Sequence, residues 1–214
     1  MNVDNKSLLL YAVTDRYWTT KEKTLISQVK DAIEGGITFL QLREKNLSYD
    51  EFLEEAKEIK KLTDKANIPF VINDNVEIAI KCNADGVHVG QSDMAAQDVR
   101  SLIGPDKILG VSAHTVEEAK LAEKNGADYL GVGAVFSTST KKDATNLSVE
   151  LLKKICDSVS IPVVAIGGIT KDNLSELENS NINGVAVVSA IFAENNIVEA
   201  TKKLKELSLS FSKK

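Results

Sequence analysis

Residues 68–93 read IPFVINDNVEIAIKCNADGVHVGQSD, and the succession of patterns inside this stretch decides the architecture. Pro69 to Asn73 is a short apolar run closed by a polar residue. Asn75 to Cys82 spaces its apolar residues by three and four, and Gly86 to Val89 is a second short apolar run. Continuous apolar runs, as opposed to strict alternation, suit parallel strands buried on both faces by crossover helices. The stretch therefore predicts strand, helix and parallel strand in turn.

The same unit recurs in both directions. Ile161-Pro162-Val163-Val164-Ala165 echoes Ile68-Pro69-Phe70-Val71-Ile72, and Ala127-Asp128-Tyr129-Leu130 echoes Ala84-Asp85-Gly86-Val87. Strands are expected at Leu8 to Thr14, Thr38 to Leu42, Pro69 to Asn73, Gly86 to Val89, Ile108 to Ser112, Tyr129 to Val132, Pro162 to Ile166 and Gly184 to Val188. Helical patterns cover Thr24 to Glu34, Ser48 to Ala66, Asn75 to Cys82, Ala95 to Ile103, Val116 to Lys124, Ser148 to Ser158, Asp172 to Glu178 and Ile197 to Phe211. Ser48 with Glu51 three residues on reads as a capping box. Gly35-Gly36 and Gly126 stand where helix ends must turn left-handed. Eight such pairs imply an α/β fold, a (β/α)8 TIM barrel spanning residues 1–214 as one domain, since no Pro-rich, Ser-rich or charged linker divides the chain. The longest stretch without a pattern is FSTSTKKDATN, Phe136 to Asn146, which follows the sixth strand and reads as a lid or binding loop.

Composition narrows the partners. The chain is 43% hydrophobic and 27% charged, ordinary for a globular enzyme and too apolar for a disordered one. Its 26 Lys and Arg against 31 Asp and Glu leave a net charge of -5, so no global positive field attracts nucleic acid or an anionic membrane, and any anion site must be local. Cys82 and Cys156 are too few for a disulfide framework, which fits a reducing cytosol. The apolar stretch near the N-terminus is short and runs directly into Thr14-Asp15-Arg16, unlike a signal peptide or a membrane span. A soluble cytoplasmic protein is expected, with homo-oligomerisation left open.

In a parallel barrel the strand ends and the loops after them share one rim, where active sites collect. After the second strand, the period of two along Gln41-Leu42-Arg43-Glu44-Lys45 sends Gln41, Arg43 and Lys45 to one side, and two cations there suit an anion. Asp74 follows the third strand and Asp93 lies in Gly90-Gln91-Ser92-Asp93 after the fourth, so the two should meet on adjacent rim positions. Two oxygen donors without thiolates suit magnesium, which keeps waters and shares phosphate oxygens; the plainer alternative is that each caps the next helix. Lys141, in the long loop, adds a third cation. Gly167 and Gly168 allow close backbone approach near the amides that start the following helices, the recurring monophosphate position of barrels. Two anion sites of different kind emerge, one charged and one made of amides. The simplest reaction using both transfers a group from its diphosphate to a second, phosphorylated molecule. No strand interior carries a lysine placed for a Schiff base. His88 and His114 read more readily as hydrogen-bonded structural residues than as an acid and base pair. Tyr11, Arg16 and Trp18 read as core or rim packing near the mouth.

Several ordered strings then carry a resemblance: YAVTD from Tyr11, QLREK at Gln41 to Lys45, IND at Ile72 to Asp74, GVHVGQSD at Gly86 to Asp93, GVSAHT at Gly110 to Thr115, GADYLGVGAVFSTSTK at Gly126 to Lys141 and AIGGI at Ala165 to Ile169. Over nearly its whole length the chain resembles the thiamine phosphate synthase family, departing from it in carrying Ala134 and Ser137 where many relatives have Pro. The resemblance implies a magnesium-assisted condensation of 4-amino-2-methyl-5-pyrimidinylmethyl diphosphate with 4-methyl-5-(2-phosphoethyl)thiazole to thiamine phosphate and pyrophosphate. Pyrophosphate would depart first and the thiazole nitrogen capture the pyrimidinylmethyl cation. By position it implies pyrimidine diphosphate contacts at Gln41, Arg43, Lys45, Asn73, Ser112 and Lys141, with Arg43, Lys45 and Lys141 catalytic and Asp74 and Asp93 as magnesium ligands. It also implies a thiazole phosphate pocket from Thr138, Ser139 and Thr140 with the amides of Gly168, Val188 and Ser189. Alternatives are a thiazole tautomerase or a non-catalytic regulatory relative on the same barrel, or a metal-dependent phosphosugar epimerase using His88 and His114.

Overall fold

Eight parallel strands close on themselves in chain order: β1 (Leu10–Val13), β2 (Phe39–Leu42), β3 (Phe70–Asn73), β4 (Gly86–Val89), β5 (Ile108–Ala113), β6 (Tyr129–Gly133), β7 (Val163–Ile166) and β8 (Gly184–Val187). The structure is a computed structural model that describes residues 3–91, 93–138 and 147–209. Outside the sheet lie α1 (Leu25–Gly35), α2 (Tyr49–Ala66), α3 (Val76–Lys81), α4 (Ala96–Ile103), α5 (Val116–Lys124), α6 (Val149–Cys156), α7 (Ser189–Phe192) and α8 (Ile197–Ser208). This is the (β/α)8 TIM barrel that the strand count implies.

Both faces of every strand are occupied, for which the continuous apolar runs had called. Leu40, Leu42, Ile72 and Val87 face outward and pack with Val29, Phe52, Ile59 and Ile78 of the helices. Tyr11, Val13, Phe39, Val71, Tyr129 and Val164 face the barrel axis and form a second, inner cluster. The helices start where side-chain chemistry satisfies their first amides. Ser48 accepts from the Glu51 amide while Glu51 reaches back to the Ser48 amide, so the expected capping box is present. Gly36 ends α1 at φ 98°, and Gly126 follows α5 at φ 89°. Among the described residues no helix is long and apolar enough to cross a membrane.

Two expectations require correction, and one short helix lies where none is expected. Asp172 to Glu178 forms no α-helix; a single 3-10 turn, Leu174–Leu177, stands there. The reason is local: Asn173 uses its side chain to accept from the Thr170 amide at 2.8 Å and to donate to the Gly168 carbonyl at 2.9 Å, holding a loop. Leu8 lies in a 3-10 turn, Asn5–Leu8, capped by Asp4, so the first strand starts later than its apolar run. The short α7 lies at the end of the eighth apolar run and carries no helical signal of its own.

Replacing Ser48 by Ala removes one half of the capping box, and the expected cost is about 1 kcal/mol of stability. A urea titration should show the lower midpoint with turnover unchanged.

Candidate active site

The inner face divides at mid-height. Tyr11, Phe39 and Tyr129 fill the lower half, with ring centroids 4.5 to 5.9 Å apart. Above them smaller and polar residues leave a cavity of about 320 Å³ that opens at the carboxyl ends of the strands. Gln41, Arg43 and Lys45 line it from the end of β2, Asn73 and Asp74 from β3, Asp93 from the loop after β4, and Ser112 from β5. Thr138, Gly168, Val188 and Ser189 line it from the loops after β6, β7 and β8. Every site candidate within the described residues therefore reaches one cavity. Ser139, Thr140 and Lys141 lie outside the described residues.

The β2 end is held from behind. Glu44, between the two cations, points away from the cavity, is 8% exposed and accepts from Arg16 Nε and Nη2, the latter at 2.8 Å. Arg16 also donates to Glu55 of α2 at 2.6 Å, and burial pushes the Glu55 carboxyl up while the guanidinium pulls it down. This anchor fixes the segment on which Arg43 and Lys45 stand. Arg16 is thus a rim residue with a positioning role that a lone arginine in the sequence did not disclose. Arg43 itself pairs with Asp15 at 3.2 Å, and Lys45 with Asp74 at 2.8 Å.

Neither acid caps a helix. Asn75 caps α3, and Ala95, which has no capping side chain, precedes α4. Asp74 adopts φ 60°, a left-handed conformation that Asp tolerates better than most residues. Its Oδ2 accepts from Lys45 Nζ and from Asn73 Nδ2. Asp93 Oδ2 accepts from the Gly90 amide at 2.7 Å. The Oδ1 atoms of both acids have no hydrogen-bond partner among the described residues. Two carboxylates with a spare oxygen each, on one cavity, fit a hard cation that keeps waters and takes phosphate oxygens. A closed protein cage is not formed: no group of three or more His, Cys, Asp or Glu gathers for a metal among the described residues.

On the opposite arc, the Gly167-Gly168 pair takes φ 99° and 65°. A Cβ on Gly168 would fall 2.4 Å from the Ser137 carbonyl oxygen. The pair lets the loop after β6 lie directly on the loop after β7, where the Phe136 amide donates to the Gly167 carbonyl at 3.0 Å.

Both histidines line the cavity but are held by different partners. His88 is buried, with Nδ1 2.9 Å from the Tyr129 hydroxyl and Nε2 3.0 Å from Ser112 Oγ. His114 sits on the rim with Nδ1 3.2 Å from Glu118. With both His88 nitrogens engaged inside the barrel, the two imidazoles do not form the metal pair an epimerase would need. Tyr11 lines the cavity and Tyr129 lies beneath it, bonded to Tyr11 and His88, which the sequence does not disclose because an aromatic in an apolar strand reads as core.

Fold and rim together define a (β/α)8-barrel enzyme whose site opens at the carboxyl ends of its strands. The model of the family described as thiamine monophosphate synthase matches residues 10–191, and the chain belongs to that family. It is 52% identical over 204 residues to a thiamine-phosphate synthase of Clostridium tetani, covering 95% of this chain and 97% of that one. It is 55% identical over 196 residues to one of Clostridium beijerinckii, covering 92% and 93%. Among solved structures, a thiamine phosphate pyrophosphorylase from Pyrococcus furiosus matches with a TM-score of 0.89 at 40% identity, over 97% of this chain and 98% of that one.

Arg16→Met leaves the Glu44 carboxylate buried without its partner. Because the guanidinium is partly exposed, the expected loss is about 2 kcal/mol, below the 3–5 kcal/mol range of a fully buried pair. Chemical denaturation measures it; an unchanged midpoint would mean that other contacts hold the segment.

Proposed function

We propose that this enzyme joins the methylene carbon of 4-amino-2-methyl-5-pyrimidinylmethyl diphosphate to the ring nitrogen of 4-methyl-5-(2-phosphoethyl)thiazole, forming thiamine phosphate and releasing pyrophosphate. The observation that carries this reading is that one cavity holds Arg43, Lys45, Asp74 and Asp93 on one arc and Thr138, Gly168, Val188 and Ser189 on the opposite arc. Two phosphorylated molecules can thus meet head to head. The names of the relatives and the family support the same chemistry.

Arg43 and Lys45 bind the diphosphate, and Asp15 and Asp74 yield part of their hold on these cations when it arrives. Asp74 and Asp93 would hold magnesium, which would supply positive charge toward the departing diphosphate. Lys141 completes the cationic set. Gln41, Asn73 and Ser112 hold the pyrimidine above the aromatic floor. Thr138, Ser139 and Thr140, with the amides of Gly168, Val188 and Ser189, hold the thiazole phosphate.

Carbon–oxygen cleavage gives the diphosphate both bonding electrons and leaves a pyrimidinylmethyl cation that the 4-amino group stabilises. The thiazole nitrogen then supplies a lone pair to the methylene carbon. That nitrogen carries no proton, so no general base is required. Catalysis falls to charge stabilisation and to positioning. Two free thiols, Cys82 and Cys156, suit a reducing cytoplasm.

Mixing both phosphorylated precursors with magnesium should yield thiamine phosphate and pyrophosphate in equal amounts; absence of both products overturns the reading. Lys141→Ala should lower kcat by about 100-fold or more, as loss of a charge that acts on the leaving group does. Its unfolding midpoint should stay at the wild-type value.

A further inference from the structure

Beneath the cavity a continuous hydrogen-bonded chain crosses the barrel. Gln41 Nε2 donates to the Tyr11 hydroxyl at 2.5 Å, Tyr11 and Tyr129 hydroxyls are 2.8 Å apart, Tyr129 meets His88 Nδ1 at 2.9 Å, and His88 Nε2 meets Ser112 Oγ at 3.0 Å. Five strands contribute one residue each. Only the two ends, Gln41 and Ser112, are groups to which a substrate contact has been assigned above; the three middle residues have had no role in the chemistry.

The backbone is cut to fit this chain. A Cβ on Gly110 would fall 2.3 Å from the Tyr129 hydroxyl and 2.5 Å from His88 Nδ1, on top of the bond between them. One on Gly131 would fall 3.1 Å from His88 Cε1. The Gln91 side chain donates to the Ser112 carbonyl at 2.6 Å, steadying the far end.

A chain of this kind has a direction. Each phenol owns one proton, and burial pushes both phenols well above their usual range, so the protons stay. Tyr11 accepts from Gln41, and among the described residues Tyr129 is the acceptor left for its own proton. The Tyr129 proton then goes to His88 Nδ1. A neutral imidazole that accepts at Nδ1 carries its proton on Nε2 and donates it to Ser112. The Gln41 carbonyl oxygen and the Ser112 hydroxyl proton are thereby turned to the cavity. One end of the floor accepts and the other donates.

We infer that Tyr11, Tyr129 and His88 are positioning residues that fix this polarity, so that the floor selects a ring with a donor toward Gln41 and an acceptor toward Ser112. The amino group and a ring nitrogen of an aminopyrimidine match that order, and this assignment rests on the function proposed above. A 4-oxo pyrimidine, with an acceptor where the amine stands, mismatches it. Reversal would require every proton in the chain to move at once, which is how a buried relay discriminates more firmly than two separate side chains.

Two measurements test the inference. The first needs no substrate: in protein labelled with ¹⁵N-histidine, with His114→Gln used for assignment, His88 should show a bare Nδ1 and a protonated Nε2. A protonated Nδ1 overturns the inference even if the enzyme makes thiamine phosphate, whereas the expected tautomer in a protein without that activity would overturn only the proposed reaction. The second is Tyr129→Phe, which keeps the ring and cuts the chain. The preference in kcat/KM for the 4-amino over the 4-oxo pyrimidine diphosphate should fall about tenfold or more, the scale of one lost polar match in a buried site. KM for the thiazole phosphate should not move. An unchanged preference overturns the inference; should this variant fail to fold, Tyr11→Phe cuts the chain one bond earlier and is read the same way.

Discussion

The packing of Tyr11 against Phe39 and Tyr129 is the contact on which the rest of the molecule depends. Closing eight parallel strands leaves an interior that side chains of ordinary size would fill from end to end. Three rings pack together in the lower half beside Val71, Ile108 and Val164, with Tyr11 and Phe39 paired across β1 and β2. Above that level, Gly110 and Gly131 give up volume to the polar chain and the cavity beyond it. A packed base and a hollow mouth therefore arise in one barrel.

Charge is handled locally throughout. A chain with net charge -5 nonetheless gathers Arg43 and Lys45 at one strand end, each resting on an acid of its own, Asp15 or Asp74. These pairs are partly exposed, so they contribute little to stability. They keep two cations in place at the rim, close to neutral in sum. Glu44 and Arg16 form the firmer bond, behind the segment, and do not face the cavity. The segment is thus fixed firmly from behind and paired more weakly in front.

Much of this was legible in the sequence, and the parts that were not share a cause. Parallel strands buried on both faces leave an unbroken apolar run, so β3, β4 and β7 stand out from short stretches of text. Rim residues followed from strand ends, and Arg43, Asp74, Asp93, Ser112 and Gly168 do reach one cavity. Side-chain roles that depend on closure were hidden. Tyr11 and Tyr129 are 118 positions apart, and nothing near either one announces the other. Asp74 was readable as a rim acid but not as the partner of Lys45, 29 positions away. The turn at Leu174–Leu177 escaped because its helical spacing competes with an Asn173 side chain committed to the preceding loop.

Calorimetric titration of the protein with inorganic pyrophosphate, with and without magnesium, tests most directly whether the strand ends form a diphosphate site. Affinity should be on the order of tenfold or more higher with the metal, since the cation then counts among the largest charges in the site. Asp93→Asn should erase that gain while leaving the metal-free affinity near its wild-type value. Equal affinity with and without magnesium, or a gain that survives in Asp93→Asn, would contradict the account.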